Sequence, residues 1–368
     1  MMNTPDQTVS GIETAGRPAL KDVFKGDFCI GTALSLDQIS GKEPDAMTLV
    51  AKHFNSITPE NILKWEEVHP KPGQYNFEAA DRYVAFGEKH QMRIIGHTLV
   101  WHNQTPEWVF QDASGKPVSR ETLLERLKEH ISTVVGRYRG RIHGWDVVNE
   151  TIMADGSWRQ SKWFEILGED HVSKAFEFAR QADPDAELYY NDFDLEIPAK
   201  NQGVIGLVKN LQAKGIRVDG VGTQCHWFLD RPSLDEIEKH IVALGGLGVK
   251  VMVTELDVGV LPFYPLESNI LPLSSFDAET QQKYNPYPDG LPEAVEQKFV
   301  ERYAALFALF HKHRDKLGRV TFWGVHDGQS WRNYWPIIGR TDYPMLFDSR
   351  CQPKAALKAV LKVVNGRA

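Results

Sequence analysis

Short runs of apolar and β-branched residues recur along the chain, separated by longer amphipathic stretches. The runs are typical of strands buried on both faces and cover residues 28–34, 54–58, 93–101, 142–148, 187–192, 219–227, 249–257 and 319–327. Stretches between them, such as 123–138 and 294–313, place apolar residues at three- and four-residue spacing, which predicts helices. The alternation of the two patterns indicates repeated βα units.

Eight such units in a single chain predict one closed barrel. The strand starts lie about 40 residues apart, which is enough for a right-handed crossover through a helix. No Gly/Ser-rich linker or shift in composition marks a second domain. We therefore predict an α/β fold, a single (β/α)8 TIM barrel at residues 22–368 that is preceded by an N-terminal extension at 1–21.

The connection after the seventh predicted strand, residues 259–296, is unusually long. It carries prolines at 262, 265, 272, 286, 288 and 292 and the aromatic residues Phe263, Tyr264, Tyr284 and Tyr287. Loops of this length inside a domain are usually either functional or disordered. On a barrel this loop would rise from the C-terminal face, and its aromatic residues favour an ordered rim or lid over disorder.

Two of the predicted strands end in carboxylates. The stretch RIHGWDVVNE, residues 141–150, ends in Asn149 and Glu150, and VKVMVTELDV, residues 249–258, delivers Glu255 followed by Asp257. A lone strand-end glutamate is most simply a solvated terminus, but the ends of parallel barrel strands converge on one opening. Glycosidic cleavage needs two carboxyl groups, one that protonates the leaving oxygen and one that attacks or activates water.

The other predicted strands end in amides, histidines, further charged groups and indoles. These residues are Glu60, Asn61, Lys64, His97, Trp101, His102, Asn191, Asp192, Gln224, His226, Trp227, Trp323, His326, Asp327 and Trp331. Hydrogen-bonding side chains suit hydroxyl groups, and indole rings suit the flat faces of sugars. Together with the two carboxylates, they predict a carbohydrate site.

Metal and phosphate chemistry are less well supported by the motifs. No HExxH or CxxC occurs, and the first strand ends in GTALS without an HxH pair. The turns after the last two strands, LDVGVLP and HDGQSW, match a glycine-rich phosphate site poorly. We therefore predict neither a metal nor a cofactor.

Charge and hydropathy exclude two classes of partner. Net charge is 42 − 49 = −7, and no basic block with interleaved aromatic residues is present, which argues against nucleic acid. No stretch reaches the roughly 18 to 20 apolar residues of a membrane span. The first residues do not form a signal peptide, so the protein is either cytoplasmic or, as we expect, secreted or periplasmic with its signal outside this numbering. We expect a monomer.

Seven motifs in order resemble one enzyme family. TPEN, GHTLVWH, WDVVNE, YND, TQCHW, VTELD and TFWGVHDGQSW resemble the glycoside hydrolase family 10 endo-β-1,4-xylanases, and the resemblance runs from about residue 22 to the C-terminus. It implies a TIM barrel that hydrolyses xylan and xylo-oligosaccharides with retention of configuration, by double displacement.

The resemblance also implies a role for each matching residue. Glu150 matches the general acid/base, Glu255 the nucleophile and Asn149 the donor to a sugar 2-hydroxyl. His226 and Asp257 match a hydrogen-bonded pair that holds the nucleophile. The remaining substrate-binding positions are Glu60, Asn61, Lys64, His97, Trp101, Gln224, Trp323 and Trp331.

Three functions remain open on the sequence: a retaining endo-xylanase, another β-glycosidase of similar barrel type, and a sugar-binding barrel that has lost turnover. The presence of both carboxylates argues against the third. In a retaining enzyme Glu255 must be ionised while Glu150 is protonated. We expect burial and the neighbouring negative charge to raise the pKa of Glu150.

Overall fold

The protein is a closed parallel barrel, seen in a computed structural model that describes residues 18–264 and 270–364. Within those ranges the barrel strands are β1 Cys29–Leu34, β2 Ser56–Pro59, β3 Arg93–Val100, β4 Gly144–Asn149, β5 Glu187–Asp192, β6 Gly220–Thr223, β7 Lys250–Gly259 and β8 Leu317–Phe322. Each strand pairs in parallel with the next, and β8 pairs with both β7 and β1. The predicted (β/α)8 fold is confirmed.

Helices lie between the strands. They are α1 Leu20–Val23, α2 Leu36–Ile39, α3 Pro44–His53, α4 Trp65–Val68, α5 Glu78–Lys89, α6 Arg120–Arg137, α7 Lys162–Leu167, α8 Asp170–Ala182, α9 Pro198–Ala213, α10 Leu234–Gly245, α11 Ala278–Tyr284, α12 Glu293–Lys312 and α13 Ala355–Lys362. Short 3-10 turns occur at Glu107–Val109, Leu273–Ser275, Asp327–Gln329 and Trp331–Asn333. The helices predicted at 123–138 and 294–313 correspond to α6 and α12.

The inside of the barrel is filled by side chains, which explains why the strands read as continuous apolar runs. Ile95, Tyr189 and Met252 form a separate buried cluster. Gly96 on β3 leaves space for an indole, since a Cβ at that position would lie 2.1 Å from the ring of Trp145. A small residue on one strand thus accommodates a large one on its neighbour.

The predicted sixth strand, 219–227, is interrupted. β6 ends at Thr223, Cys225 has a φ of +64°, and a short strand, His226–Phe228, then pairs with the upper part of β7. In that pairing His226 lies beside Asp257, and Phe228 beside Gly259. The change of direction at Cys225 brings His226 to the C-terminal face of the barrel, beside Asp257.

The long loop after β7 is largely built of ordered elements where it is described. Its short strand Leu271–Pro272 pairs with Ile337–Ile338 in the loop after β8, and α11 follows. The hydroxyl of Tyr343 donates to the carbonyl of Tyr287 at 2.7 Å. The segment 270–292 therefore forms a rim tied to the loop after β8, and the predicted loop's residues 265–269 lie outside the described residues.

At the N-terminus, residues 1–17 of the predicted extension lie outside the described residues. Helix α1 begins at Leu20, which is buried, and Lys21 donates to the carbonyl of Ala51 at 2.7 Å. The domain boundary placed at residue 22 stays a prediction. Across the described chain, helices long and apolar enough to cross a membrane are absent.

Candidate active site

Glu150 lies directly after β4 in an unusual backbone conformation. Its φ is +61°, in the left-handed region that residues other than glycine adopt only when the surroundings hold them there. Its amide donates to the carbonyl of Asn191 at 2.9 Å, and its carbonyl accepts from Nε of Arg159 at 2.7 Å. The backbone at the end of this strand is thus held on both sides. The carboxylate of Glu150 accepts hydrogen bonds from Gln224 and Trp101.

Both carboxylate oxygens of Glu150 accept hydrogen bonds. Nε1 of Trp101 donates to Oε2 at 2.8 Å. Nε2 of Gln224 donates to Oε1 at 2.9 Å, and Nδ2 of Asn149 donates to the same oxygen at 3.0 Å. The three donors lie at the ends of β3, β4 and β6, so the carboxylate of Glu150 connects the ends of these three strands.

Glu255 on β7 is linked to Glu150 by two side-chain amides. Nδ2 of Asn191 donates to Oε1 of Glu255 at 2.8 Å and to Oδ1 of Asn149 at 2.9 Å. Thr254 donates to Oδ1 of Asn191 at 2.6 Å, which fixes the orientation of that amide. Since Asn149 also contacts Glu150, the two carboxylates belong to one hydrogen-bond network.

The other carboxylate oxygen of Glu255 contacts a row of side chains whose charges alternate in sign, namely His226, Asp257 and Arg332. His226 contacts Oε2 of Glu255 through Nε2 at 3.1 Å and Oδ2 of Asp257 through Nδ1 at 3.0 Å. Asp257 also accepts from Nε1 of Trp331 at 2.7 Å and from Nε of Arg332 at 2.8 Å. Asp257 is fully buried, and its partners satisfy both of its oxygens.

The pKa values along this line follow from the alternation. Burial opposes the charge of Asp257, but Arg332 and His226 hold the pKa of Asp257 at about 2. Burial likewise opposes protonation of His226, but Asp257 and Glu255 raise the pKa of His226 to about 9. The imidazole is therefore cationic at neutral pH and donates to both carboxylates.

Lys64 is a buried cation among the carboxylates. Its Nζ donates to Asn61 and to Gln104, both at 2.8 Å, and lies 4.7 Å from the ring centroid of Trp101. Burial lowers the pKa of Lys64 against the attraction of Glu255, Glu60 and Glu150. Burial raises the pKa of Glu60, with Lys64 opposing it.

Indole and imidazole rings form the wall between β3 and β8. His97 contacts Asp146 at 3.0 Å, and its ring meets Trp323 edge-on with centroids 5.3 Å apart. The ring centroid of Trp323 lies 6.3 Å from that of His226, and the centroid of Trp331 lies 4.9 Å from it. Ring contacts therefore run from His226, which touches Glu255, to the predicted sugar-binding residues Trp331, Trp323 and His97.

The structure brings all of the predicted site residues together on the C-terminal face. They are Glu60, Asn61, Lys64, His97, Trp101, Asn149, Glu150, Gln224, His226, Glu255, Asp257, Trp323 and Trp331. In the described chain, no group of three or more His, Cys, Asp or Glu side chains is arranged to hold a metal ion.

Three contributors to the network lie outside the predicted catalytic and substrate-binding set. Asn191 was visible as a strand-end amide, but its contact with both Asn149 and Glu255 depends on spacing between strands. Gln104, which accepts from Lys64, lies in a loop without a motif. Arg332 follows Trp331 in a surface-like turn, and no local pattern indicates that it pairs with Asp257.

The expected rise in the pKa of Glu150 is not found in the free protein. Burial raises this pKa, but His102, Gln224 and Trp101 outweigh it, and the net shift is downward. Burial in turn lowers the pKa of His102 to about 4, so that above that pH the imidazole is neutral and no longer stabilises the carboxylate by charge. At neutral pH, hydrogen bonds from Gln224 and Trp101 therefore lower the pKa of Glu150, whereas burial raises it.

A (β/α)8 barrel with two networked carboxylates, amide donors and indole walls at its C-terminal face has the features of the two-carboxylate glycoside hydrolases. The family model described as Glycosyl hydrolase family 10 matches residues 19–363. The chain belongs to glycosyl hydrolase family 10.

Two curated relatives are similar to this chain over nearly their full length. An endo-1,4-beta-xylanase A of Xylanibacter ruminicola is 44% identical over 94% of this chain and 94% of its own. An endo-1,4-beta-xylanase of Geobacillus stearothermophilus is 41% identical over 94% of this chain and 98% of its own. Among solved structures, a GH10 endoxylanase from a sugarcane soil metagenome has a TM-score of 0.89 and 44% identity, covering 94% of this chain and 100% of that one. A mutant solved in complex with xylotriose has a TM-score of 0.83 and 37% identity, covering 94% of this chain and 99% of that one.

Proposed function

We propose that this chain is a retaining endo-1,4-β-xylanase in which Glu255 is the nucleophile and Glu150 the acid/base. The observation that carries the assignment is that the two carboxylates have different hydrogen-bond partners. Glu255 contacts the cationic imidazole of His226, whereas Glu150 is held by neutral N–H groups of Asn149, Gln224 and Trp101. Family membership and the xylotriose complex of a relative support xylan and xylo-oligosaccharides as substrates.

In the first step an oxygen of Glu255 attacks the anomeric carbon while Glu150 protonates the leaving oxygen. Retaining enzymes place the two carboxyl groups about 5 to 5.5 Å apart, which leaves no room for water between nucleophile and sugar. Asn149 donates its amide to the sugar 2-hydroxyl. As that N–H turns from Glu150 to the substrate, the carboxylate loses a donor and its pKa rises, which prepares it to carry a proton.

In the second step Glu150 acts as a base. The ester on Glu255 has no charge, and Glu150, now deprotonated, removes a proton from the water that attacks the anomeric carbon. Both carboxylates return to their starting states, and the configuration is retained. His226, which is itself held by Asp257, keeps Glu255 oriented through both steps, since its Nε2 contacts the oxygen that Asn191 does not.

The remaining predicted residues bind the sugar on the non-reducing side. Glu60, Asn61 and Lys64 supply hydrogen bonds from the end of β2, and Gln224 and His97 supply them from other strand ends. The indoles of Trp101, Trp323 and Trp331 pack on sugar faces. The enzyme acts as a monomer without a cofactor, on a polymer that occurs outside the cytoplasm.

Azide rescue tests the assignment of the two glutamates. Glu150→Ala should nearly abolish xylan cleavage, because general acid catalysis contributes roughly 10² to 10⁴-fold, yet still react with a dinitrophenyl xylobioside whose leaving group needs no proton. Azide should then release a β-azide product from Glu150→Ala. It should release an α-azide product from Glu255→Ala. Glu67→Ala, which removes an exposed carboxylate of α4, should behave as the unmodified enzyme.

Exchanged azide configurations would mean that the two roles are reversed. The substrate class is tested separately by the products formed from xylan, carboxymethyl-cellulose and xylohexaose. Internal fragments from xylan but not from carboxymethyl-cellulose are expected. Cleavage of the cellulose derivative at a similar rate would instead favour a β-glycosidase of broader specificity, and binding of xylan without any product would favour a non-catalytic barrel.

A further inference from the structure

A second concave site lies at the rim of the barrel, beyond the catalytic network. We call it the rim groove and define it by Phe228, Arg231, Phe263, Lys298 and Arg302, which line a cavity of about 710 Å³. Its walls come from the segment after the short strand 226–228, the segment after β7 and helix α12.

The rim groove is adjacent in sequence to His226 and Asp257, the two residues that hold the proposed nucleophile. Phe228 pairs with Gly259, two positions beyond the pair formed by His226 and Asp257. The groove therefore begins two positions along the same pair of strands from the residues that support Glu255. The groove shares no lining residue with the predicted catalytic and sugar-binding set.

Aromatic rings and a guanidinium alternate in the groove. The guanidinium carbon of Arg231 lies 4.7 Å from the ring centroid of Phe228 and 4.4 Å from that of Phe263. Phe263 is 43% exposed, which is high for a phenyl ring on a protein surface. The two rings restrain the guanidinium plane and leave apolar surface for a ligand.

The cations of the groove have few partners. Within residues 18–264 and 270–364, Arg231 and Lys298 form neither an ion pair nor a hydrogen bond through their side chains. Arg302 donates to the carbonyl of Pro232 at 2.5 Å, but its Nε is buried without a partner. Asp230 and Glu301 also line the groove, yet neither is paired with these cations in the described chain.

We propose that the rim groove binds a carboxylate-bearing sugar, a uronosyl branch on xylan, at a position outside the catalytic centre. The planar guanidinium of Arg231 matches a carboxylate in a two-bond geometry, and Lys298 and the unpartnered Nε of Arg302 add further donors. The exposed ring of Phe263 packs on the apolar face of the sugar. This inference rests on the proposed xylanase function and assigns it a preference for acidic xylan.

Kinetics on xylan with and without its uronosyl branches distinguish the rim groove from the catalytic site. Arg231→Ala and Phe263→Ala should each lower kcat/KM on glucuronoxylan about 5- to 10-fold, and leave kcat/KM on the same xylan after enzymatic removal of its uronosyl branches and on xylotriose unchanged. The matched control is Arg82→Ala, which removes an exposed arginine of α5 far along the chain and should change none of these values. Because the groove is open to solvent, salt should reduce the effect of Arg231→Ala.

Each other outcome overturns the inference. Equal losses on decorated and undecorated xylan would mean that the groove binds the neutral backbone or supports the fold. Unchanged kinetics on glucuronoxylan would mean that the groove binds no acidic branch, and concentration-dependent dimerisation abolished by Phe263→Ala would make it an interface between copies of this chain. A protein inactive on undecorated xylan and xylotriose from the start would instead contradict the proposed function, whatever the variants do.

Discussion

The pKa of Glu150 depends on its hydrogen-bond donors, and Trp101 is the donor to the oxygen that neither Asn149 nor Gln224 contacts. Donors to a carboxylate stabilise its charged form. Trp101→Phe keeps a ring but removes the N–H, so it should raise the pKa of Glu150. The alkaline limb of kcat against pH, which reports loss of the catalytic proton, should therefore move to higher pH.

The control for Trp101→Phe is Trp108→Phe, because Nε1 of Trp108 donates to the carbonyl of Pro70 instead. It should leave the limb in place. A limb that does not move in Trp101→Phe, with kcat reduced at every pH, would show that the indole positions the sugar without tuning the acid.

His226 provides a pH-dependent contribution to stability. Its pKa is about 9 in the folded protein and 6.5 for a solvated histidine in the unfolded chain, so folding favours the protonated form. This stabilisation is fully present below pH 6.5 and is lost as pH rises through 9, and it amounts to something on the order of 3 kcal/mol. The free energy of unfolding, measured with urea from pH 6 to 9.5, should fall across this window.

His226→Gln should remove that part of the pH dependence, since its amide does not titrate. The variant should be less stable than the unmodified protein at pH 6 and differ from it less at pH 9.5. A parallel pair of curves would place the titration elsewhere.

At the scale of elements, the 3-10 turn after β8 fixes the end of β7. Arg332 donates to Asp257, and its NH2 also contacts the carbonyl of Trp227 at 3.2 Å. Replacing it by methionine leaves Asp257 buried with one cationic neighbour fewer, and removing one partner of a buried pair costs about 3 to 5 kcal/mol. We expect Arg332→Met to lower the free energy of unfolding by this order and to lower kcat more than it changes KM.

Arg332→Lys retains the charge and tests whether charge or geometry matters. It should restore most of the stability but only part of kcat, because an ammonium lacks the guanidinium fork. The acid limb of activity should move to higher pH in Arg332→Met, since Arg332 is the first of the groups that hold the pKa of Asp257 down against burial. A loss of stability with an unchanged pH profile would reduce Arg332 to a structural role.

Elements were predictable where a local pattern specifies them. Alternating runs and helical spacing gave all eight barrel strands, because each is buried on both faces and each is followed by an amphipathic helix. The interruption at Cys225 was not predictable, since its cause is a positive φ that only the surrounding packing maintains. The pairing of Leu271–Pro272 with Ile337–Ile338 was missed for a similar reason, as two-residue strands carry no period.

For the whole molecule, the barrel made the site predictable because all strand ends face one opening. Motifs placed Glu150, Glu255 and their sugar-binding neighbours on that face. The bridge through Asn149 and Asn191, the contact of Arg332 and the direction of the pKa shift at Glu150 could not be predicted. Each depends on distances between side chains that are far apart in sequence, which no local pattern records.

Buried histidines predict how the whole molecule responds to acid. His53, His69, His171 and His240 are buried, and burial lowers the pKa of each to about 4. Between pH 6.5 and 4 the unfolded chain therefore binds more protons than the folded protein, and stability falls as pH falls. Each histidine contributes a slope of up to about 1.4 kcal/mol per pH unit within this window.

His240→Leu isolates one of these contributions, because the side chain is buried on α10 and its ring lies beside Trp227 rather than beside either catalytic carboxylate. The variant cannot take up a proton, so its free energy of unfolding should decline less steeply from pH 6.5 to 4, by up to about 1.4 kcal/mol per unit. At pH 8, where the imidazole is neutral in both states, the two proteins should differ by a constant amount that reflects packing alone. Urea unfolding at half-unit pH steps measures both terms. Equal slopes for the two proteins below pH 6.5 would show that the pKa of His240 does not change on folding, and the acid sensitivity would then have to come from groups other than this imidazole.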